Sequence, residues 1–242
     1  MLDFKTELSA AVQHFWQVRD SQQKKQGSKT GQKDTGNRSA VTGGKHADGF
    51  INLLGRIMRE AAIPDANVFV AKHITLPCYF RPSKDWDLLV KLGDNLIAVV
   101  EVKSHIGSFG NNFNNRVEEA LGNATDFWSA YREATFQPSA RPWLGYLMML
   151  QDHSKSTRPS KPKKLRHYPI RQEFQGISYA RRYEILCERL VRERLYDASC
   201  FIMSSATGGL KGEYSEPNQE LSFQNFAAAL GARAAAFAKI HE

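Results

Sequence analysis

The sequence predicts an α/β fold, a central mixed β-sheet flanked by helices, carried as one domain over residues 1–242. Three observations lead there. The apolar run Leu-Ile-Ala-Val-Val at 96–100 has the length and composition of a strand buried on both faces. A second strand-like segment precedes it across a tight Leu92-Gly93-Asp94-Asn95 turn, so the sheet begins as an antiparallel hairpin. Beyond the hairpin, helical and strand patterns alternate, which adds a mixed sheet with helices packed on it.

Each element has its own reason. Leu2, Leu8, Ala11, Val12, Phe15 and Trp16 are spaced for an amphipathic helix over 2–18. From Arg19 to Lys45 the chain holds seven Lys or Arg against two Asp, with five Gly and almost no apolar residue. That composition predicts a long exposed loop, a basic Gly-rich arm at about 19–47. A helix is expected over 50–63, with Asp48 as N-cap, Pro64 just past its end and Glu60 at the edge of its apolar stripe. Strand signals follow at 68–76, 86–91 and 96–103, the last two forming the hairpin. Then come a helix at 116–133, a strand at 143–150, a helix at 179–196, a strand at 199–204 and an alanine-rich helix at 223–240. Lys155–Arg171 is a second basic loop, with seven Lys or Arg and no acid.

Composition narrows the function. A formal net charge of +8 attracts polyanions, nucleic acid first among them. The opening residues lack the basic start and apolar core of a signal peptide, and no run approaches the roughly 18 apolar residues of a membrane span. A cytoplasmic protein without membrane association is expected. Cys78, Cys187 and Cys200 form no CxxC pair, which argues against a disulfide framework and a zinc site.

The hairpin carries the chemistry. With its turn centred on Asp94, antiparallel partners have numbers totalling about 188, so Asp87 falls opposite Glu101 and Asp85 opposite Lys103, all on one face. Like charges so placed repel and call for a cation. An oxygen-rich pair with room for water and phosphate suits Mg²⁺. Lys103 reaches the same place, and the set has the parts for metal-assisted phosphodiester hydrolysis. The plainer reading is an ordinary ion pair between Asp85 and Lys103.

Asp87 followed by Glu101-Val102-Lys103 on the next strand resembles the PD-(D/E)xK nuclease core, with Trp86 where that motif usually has proline. The stretches "GSKTGQKDTGNRSAVTGGKHADGF", "RPSKDWDLLV" and "EVKSHIGSFGNNFNNRVEEALGNATDFWSAYRE" are similar to the XhoI family of type II restriction endonucleases. The resemblance implies a restriction-endonuclease-like core and a homodimer that cuts double-stranded DNA within the palindrome CTCGAG, using Mg²⁺ and leaving 5′-phosphates. It also implies a cognate DNA methyltransferase as a functional, not physical, partner. Carried over residue by residue, Asp87 and Glu101 would be metal ligands, the Val102 carbonyl a third, and Lys103 the water-positioning base. Asp85 shares the face with Asp87 and stays an alternative to it. A glutamate on the preceding helix completes the site in many nucleases of the superfamily, and Glu60 either fills that role or is a solvated helix-edge residue.

Base reading needs amide and guanidinium groups. The segment Asn111, Asn112, Asn114, Asn115 and Arg116 follows the catalytic strand as a loop carrying this vocabulary, with Asn115 alternatively capping the helix begun by Arg116. Lys24, Lys25, Lys29, Lys33, Arg38 and Lys45 of the arm suit phosphate tracking. His46 and His105 suit hydrogen bonding within loops, with DNA contact as the second reading. Lys161, Lys163, Lys164 and Arg166 either line the DNA backbone or form a soluble loop. Two competing functions remain at this level: a structure-selective or repair nuclease with the same core, and a non-catalytic DNA-binding protein. Discrete bands from a plasmid digest separate the first from a restriction enzyme, and DNA binding without Mg²⁺-dependent cutting would mark the second.

Overall fold

The computed structural model describes residues 3–30, 45–61, 63–64, 67–70, 72–136 and 139–240, leaving aside the side chains of 23 and 25–30. The chain runs α1 (Phe4–Thr30), a 3-10 turn (Lys45–Ala47), α2 (Asp48–Glu60), β1 (Val68–Val70), β2 (Thr75–Pro77), β3 (Ser83–Asp85), β4 (Leu88–Leu92) and β5 (Asn95–His105). It continues with α3 (Phe109–Arg132), β6 (Trp143–Gln151), α4 (Ser154–Thr157), α5 (Tyr179–Arg192), β7 (Ala198–Ser204), α6 (Ala206–Gly209) and α7 (Phe223–Ile240).

Five strands form one mixed sheet in the order β1-β4-β5-β6-β7. The β1–β4 and β4–β5 pairs are antiparallel, and β5–β6 and β6–β7 are parallel. Because side chains alternate across a strand, two cores result. Leu88, Val90, Val100, Leu147 and Met149 face α1, α2 and α7. Leu89, Val99, Tyr146, Met148 and Phe201 face α3 and α5. Both parallel connections place their helix on that second face, so the expected α/β architecture with a helix-flanked mixed sheet is what the chain adopts. The α2 stripe Phe50, Leu53, Leu54, Ile57 and Met58 is buried at the spacing of one helix face.

The hairpin register depends on one extra residue. Gly93 takes a positive φ of 56° at the first central position of a two-residue turn, which only glycine enters without strain. Leu92 pairs with Asn95 and Lys91 with Leu96, but Val90 pairs with Ala98. Ile97 is the bulged residue, and Ile97 and Ala98 both enter the α1–α2–α7 core. Beyond the bulge partner numbers total 188, the value expected from sequence, although the turn itself is centred half a residue earlier.

Several boundaries differ from expectation. The N-terminal helix does not stop at 18 but continues to Thr30, so the first part of the basic arm is helical. Residues 31–44 of that arm, with Lys33 and Arg38, lie outside the described residues. Asp48 is the first residue of α2 rather than its cap, which is Ala47. The expected strand at 68–76 divides into β1 and β2, with His73 between them at φ 56°. β2 leaves the main sheet and pairs with β3, an unforeseen strand. The helix expected from Arg116 begins at Phe109. Ser108 at φ 45° and Gly107 at φ 66° turn the chain sharply out of β5, so the asparagines fall in the first turns of α3 and not in a loop.

Gly145 lies in β6 where an added Cβ would come within 2.4 Å of the Trp143 ring and 2.8 Å of Phe226. Overpacking of this kind costs about 1–3 kcal/mol. Gly145→Ala is expected to lower stability by that amount in chemical denaturation with an unchanged denaturant slope; an unchanged midpoint would contradict the packing described.

Candidate active site

At the carboxyl end of β5, where ligands gather in open α/β sheets, lies a cavity of about 290 Å³. Asp87, Val102, Lys103 and His105 line it from the strands, Phe15, Arg19, His46 and Phe50 from the α1–α2 side, and Asn112 and Arg116 from α3.

Asp87 precedes β4 and extends its pairing, since its N–H donates to the Val100 carbonyl at 3.2 Å. Its Oδ2 in turn accepts from the Val102 N–H at 2.7 Å. Burial pushes the Asp87 carboxyl up to about 6, with the neighbouring Glu101 charge adding to the effect. Glu101 is 1% exposed. Its Oε2 accepts from Lys84 Nζ at 2.8 Å, its Oε1 meets Lys103 Nζ, and Asn123 of α3 donates to the same Oε1 at 3.4 Å. Burial works against the Lys103 ammonium, but Glu101 and Asp87 together outweigh it and hold the pKa above the ordinary lysine value. The sheet thus gathers Asp87, Glu101 and Lys103 as the register anticipated. Among the described residues no three of His, Cys, Asp and Glu cluster closely enough to hold a metal unaided. The donors at hand are two repelling carboxylates and backbone oxygen, a set that fits a hard cation keeping water ligands of its own.

Asp85 is elsewhere. The chain leaves β4 at Trp86, whose N–H donates to Ile74 at 3.0 Å, and Asp85 pairs instead with Thr75 across β2–β3 as an exposed residue. It therefore neither faces Lys103 nor competes with Asp87. The cation from this segment is Lys84, which lies 4.4 Å from the centre of the Trp86 ring while gripping Glu101. The β2–β3 hairpin is fastened to α3 by Asp126, which accepts from the Tyr79 and Phe80 N–H groups at 2.8 and 2.9 Å and from Arg81 Nε at 2.8 Å.

Glu60 is exposed at the last position of α2 and does not line the cavity. That helix reaches the cavity near Phe50, and Glu60 lies about 15 Å further along it at 1.5 Å per residue. Of the asparagines, Asn112 shares a helix face with Arg116, four residues on, and both line the cavity. Arg116 is paired with Glu119. Asn111 turns to an adjoining groove with Lys155, Arg158 and Lys161, which shares Ser108 with the cavity. Asn114 faces α5 beside Phe113 and Val117, and Asn115 is exposed. Lys163, Lys164 and Arg166 are exposed, Lys24 pairs with Asp20 at 2.6 Å, and Lys45 is exposed with its carbonyl beside His14.

Sequence reasoning missed two cations, Arg19 in the cavity wall and Lys84 on Glu101. Arg19 continues the Val12, Phe15 and Trp16 stripe, and a charge on an apolar stripe was the available signal; it went unread because the helix seemed to end at 18. Lys84 gave no such signal, since its position depends on the departure of β3 from the main sheet.

A mixed sheet flanked by helices, with paired acids and a lysine at a strand end, is consistent with a restriction-endonuclease-like fold. The family model described as restriction endonuclease XhoI matches residues 24–216, and the chain belongs to that family. It is 50% identical over 200 residues to the type II restriction enzyme BstVI of Geobacillus stearothermophilus, covering 80% of this chain and 89% of that one. It is 42% identical over 188 residues to the type II restriction enzyme XhoI of Xanthomonas vasicola, covering 74% and 72%. Identity to the type II restriction enzyme AbrI of Azospirillum brasilense is 42% over 160 residues, covering 65% and 71%. No solved structure matches. The chain is therefore a type II restriction endonuclease acting on double-stranded DNA, of a kind that generally works with divalent metal ions. Among the described residues no helix is long and apolar enough to cross a membrane.

Two histidines of the cavity wall are held neutral. His105 is buried against Phe109 and Tyr183, its Nδ1 2.6 Å from the Tyr183 hydroxyl. Burial lowers its pKa from 6.5 to about 4, and burial followed by the Arg19 charge does the same to His46. Between these values the unfolded chain binds more protons than the folded one, so this stability is fully present above about 6.5 and is lost as pH falls toward 4. The stability gap between wild type and His105→Gln is expected to narrow over that window by up to about 1.4 kcal/mol per pH unit, read from unfolding midpoints; a constant gap would refute the assignment.

Proposed function

We propose that the chain cuts duplex DNA within the palindrome CTCGAG with Mg²⁺, as a homodimer, and leaves 5′-phosphate ends. One observation carries the catalytic part: Asp87, Glu101 and Lys103 converge at the end of β5 beside a cavity with basic residues on both sides. Membership of the XhoI family supports the target sequence, and a palindrome is matched most simply by a two-fold dimer. Such an enzyme implies a companion methyltransferase that protects host DNA.

Asp87 and Glu101, with the Val102 carbonyl, would hold the metal. When bound it supplies positive charge that stabilises the phosphorane-like transition state and the leaving oxygen. Lys103, cationic between the two acids, orients the attacking water and the phosphate. The water oxygen attacks phosphorus in line with the P–O3′ bond and gives up a proton to solvent, that bond breaks, and its electrons remain on the 3′-oxygen, which takes up a proton from solvent. The products are a 5′-phosphate and a 3′-hydroxyl. Asn112 and Arg116, side by side on α3, carry the amide and guanidinium groups that read adenine and guanine edges. The groove of Asn111, Lys155, Arg158 and Lys161 gathers cations suited to the phosphates of the flanking backbone. Lys33, Arg38 and Lys45 of the arm, with His46, remain candidates for further DNA contacts, while the position of Glu60 argues for the solvated reading of that residue.

Asp87→Asn and Lys103→Ala are each expected to reduce cleavage at least about a thousandfold, as loss of a group acting on the reacting atoms does, while duplex binding in a gel-shift assay stays within a few-fold. Cutting by either purified variant at the wild-type rate rules out this site. Digestion of DNA of known sequence with end mapping tests CTCGAG directly; ends elsewhere would refute that part alone.

A further inference from the structure

Arg19 is charged, 4% exposed, and lines the same cavity as Asp87, Val102 and Lys103. Its guanidinium carbon lies 5.9 Å from the centre of the Phe15 ring, and Phe15 in turn meets His46 edge-on at 5.1 Å. The other cavity cations are matched by acids, Lys103 by Glu101 and Arg116 by Glu119. Among the described residues Arg19 has no ion-pair partner, and its Nε has no hydrogen-bond partner. Burial pulls its pKa below the ordinary arginine value, the mark of a cation taken from water without compensation. An unmatched buried charge lowers stability; among the described residues no acid offsets this one, and an arriving anion would. His46, which feels the Arg19 charge, is neutral and supplies no counter-charge.

The geometry points to Arg19 as a phosphate-binding residue, delivered by α1 to grip a DNA phosphodiester at the cavity that Asp87 and Lys103 also line. The proposal rests on the nuclease reading above and adds a cation that the Asp–Glu–Lys set does not contain. A guanidinium offers paired N–H donors that match two phosphate oxygens, and in a site shielded from water such a bond is strong. Placed there, Arg19 holds the diester against the strand end while Lys103 and the acids act on its phosphorus.

The test uses the full chain and three readouts. In Arg19→Met, single-turnover cleavage of a duplex bearing the target is expected to fall at least about a hundredfold, and Arg19→Lys to recover part of that loss. Without metal or DNA, the unfolding temperature of Arg19→Met is expected to equal or exceed that of wild type, because a costly buried charge has been removed. Inorganic phosphate should raise the wild-type unfolding temperature relative to chloride at equal ionic strength and leave that of Arg19→Met unmoved. Cleavage within about threefold of wild type overturns the proposal. So does lost cleavage with a lowered unfolding temperature and an intact phosphate response, which would mark a structural role. The phosphate readout needs no catalysis, so it stands or falls separately from whether Asp87→Asn still cuts.

Discussion

A single buried carboxylate organises this part of the molecule. Glu101 is almost wholly withdrawn from water, and an unpaired charge there would be prohibitive. It is tolerated because three elements meet on its two oxygens: Lys103 from its own strand, Lys84 from the small β2–β3 sheet, and Asn123 from α3. Each is held by something else. Lys84 rests on Trp86, which packs edge-on against Phe127 of α3 at 5.5 Å. Asn123 also accepts from Arg81, whose guanidinium is tied to Asp126. The hairpin, the helix and the strand end therefore have fixed relative positions because one acid must be satisfied.

That constraint gives the cavity its polarity. Glu101 lies on the face of β5 toward α3, Asp87 lines the cavity with cations from α1 and α3, and further cations line the adjoining groove after β6. The helix α3 begins within four residues of β5 because Gly107 and Ser108 take left-handed conformations. Its N-terminal end, the positive end of its dipole, is thereby kept beside the strand that carries the acids. Groups suited to cutting and groups suited to reading occupy consecutive stretches of chain joined by a bend with little freedom, so displacement of one is felt by the other.

Much of the fold was legible, and for identifiable reasons. The apolar run at 96–100 and the periodic stripes of α2, α5 and α7 are signals of burial, and burial is what the chain does with them. The Asp87–Glu101 relation was reached from a turn position off by half a residue, and the bulge at Ile97 made up the difference. A bulge leaves no mark in composition, because Ile97 is as apolar as its neighbours. The asparagine segment misled because Asn and Gly favour turns locally, whereas Phe109, Phe113 and Val117, packed on α5 at helical spacing, override that preference. Arg19 and Lys84 depend on contacts between segments more than fifteen residues apart, and single-segment patterns carry no trace of such contacts.

Trp86 stands where the nuclease motif that this stretch resembles has proline. Proline has no N–H, yet this position donates to the Ile74 carbonyl, and that bond joins the small sheet to the large one. A residue with an N–H here supplies a tether as well as a platform, and Lys84 beside it reaches the buried acid. A chain with proline here would lack that bond and the ring beneath Lys84, and Glu101 would depend more heavily on Lys103 and Asn123.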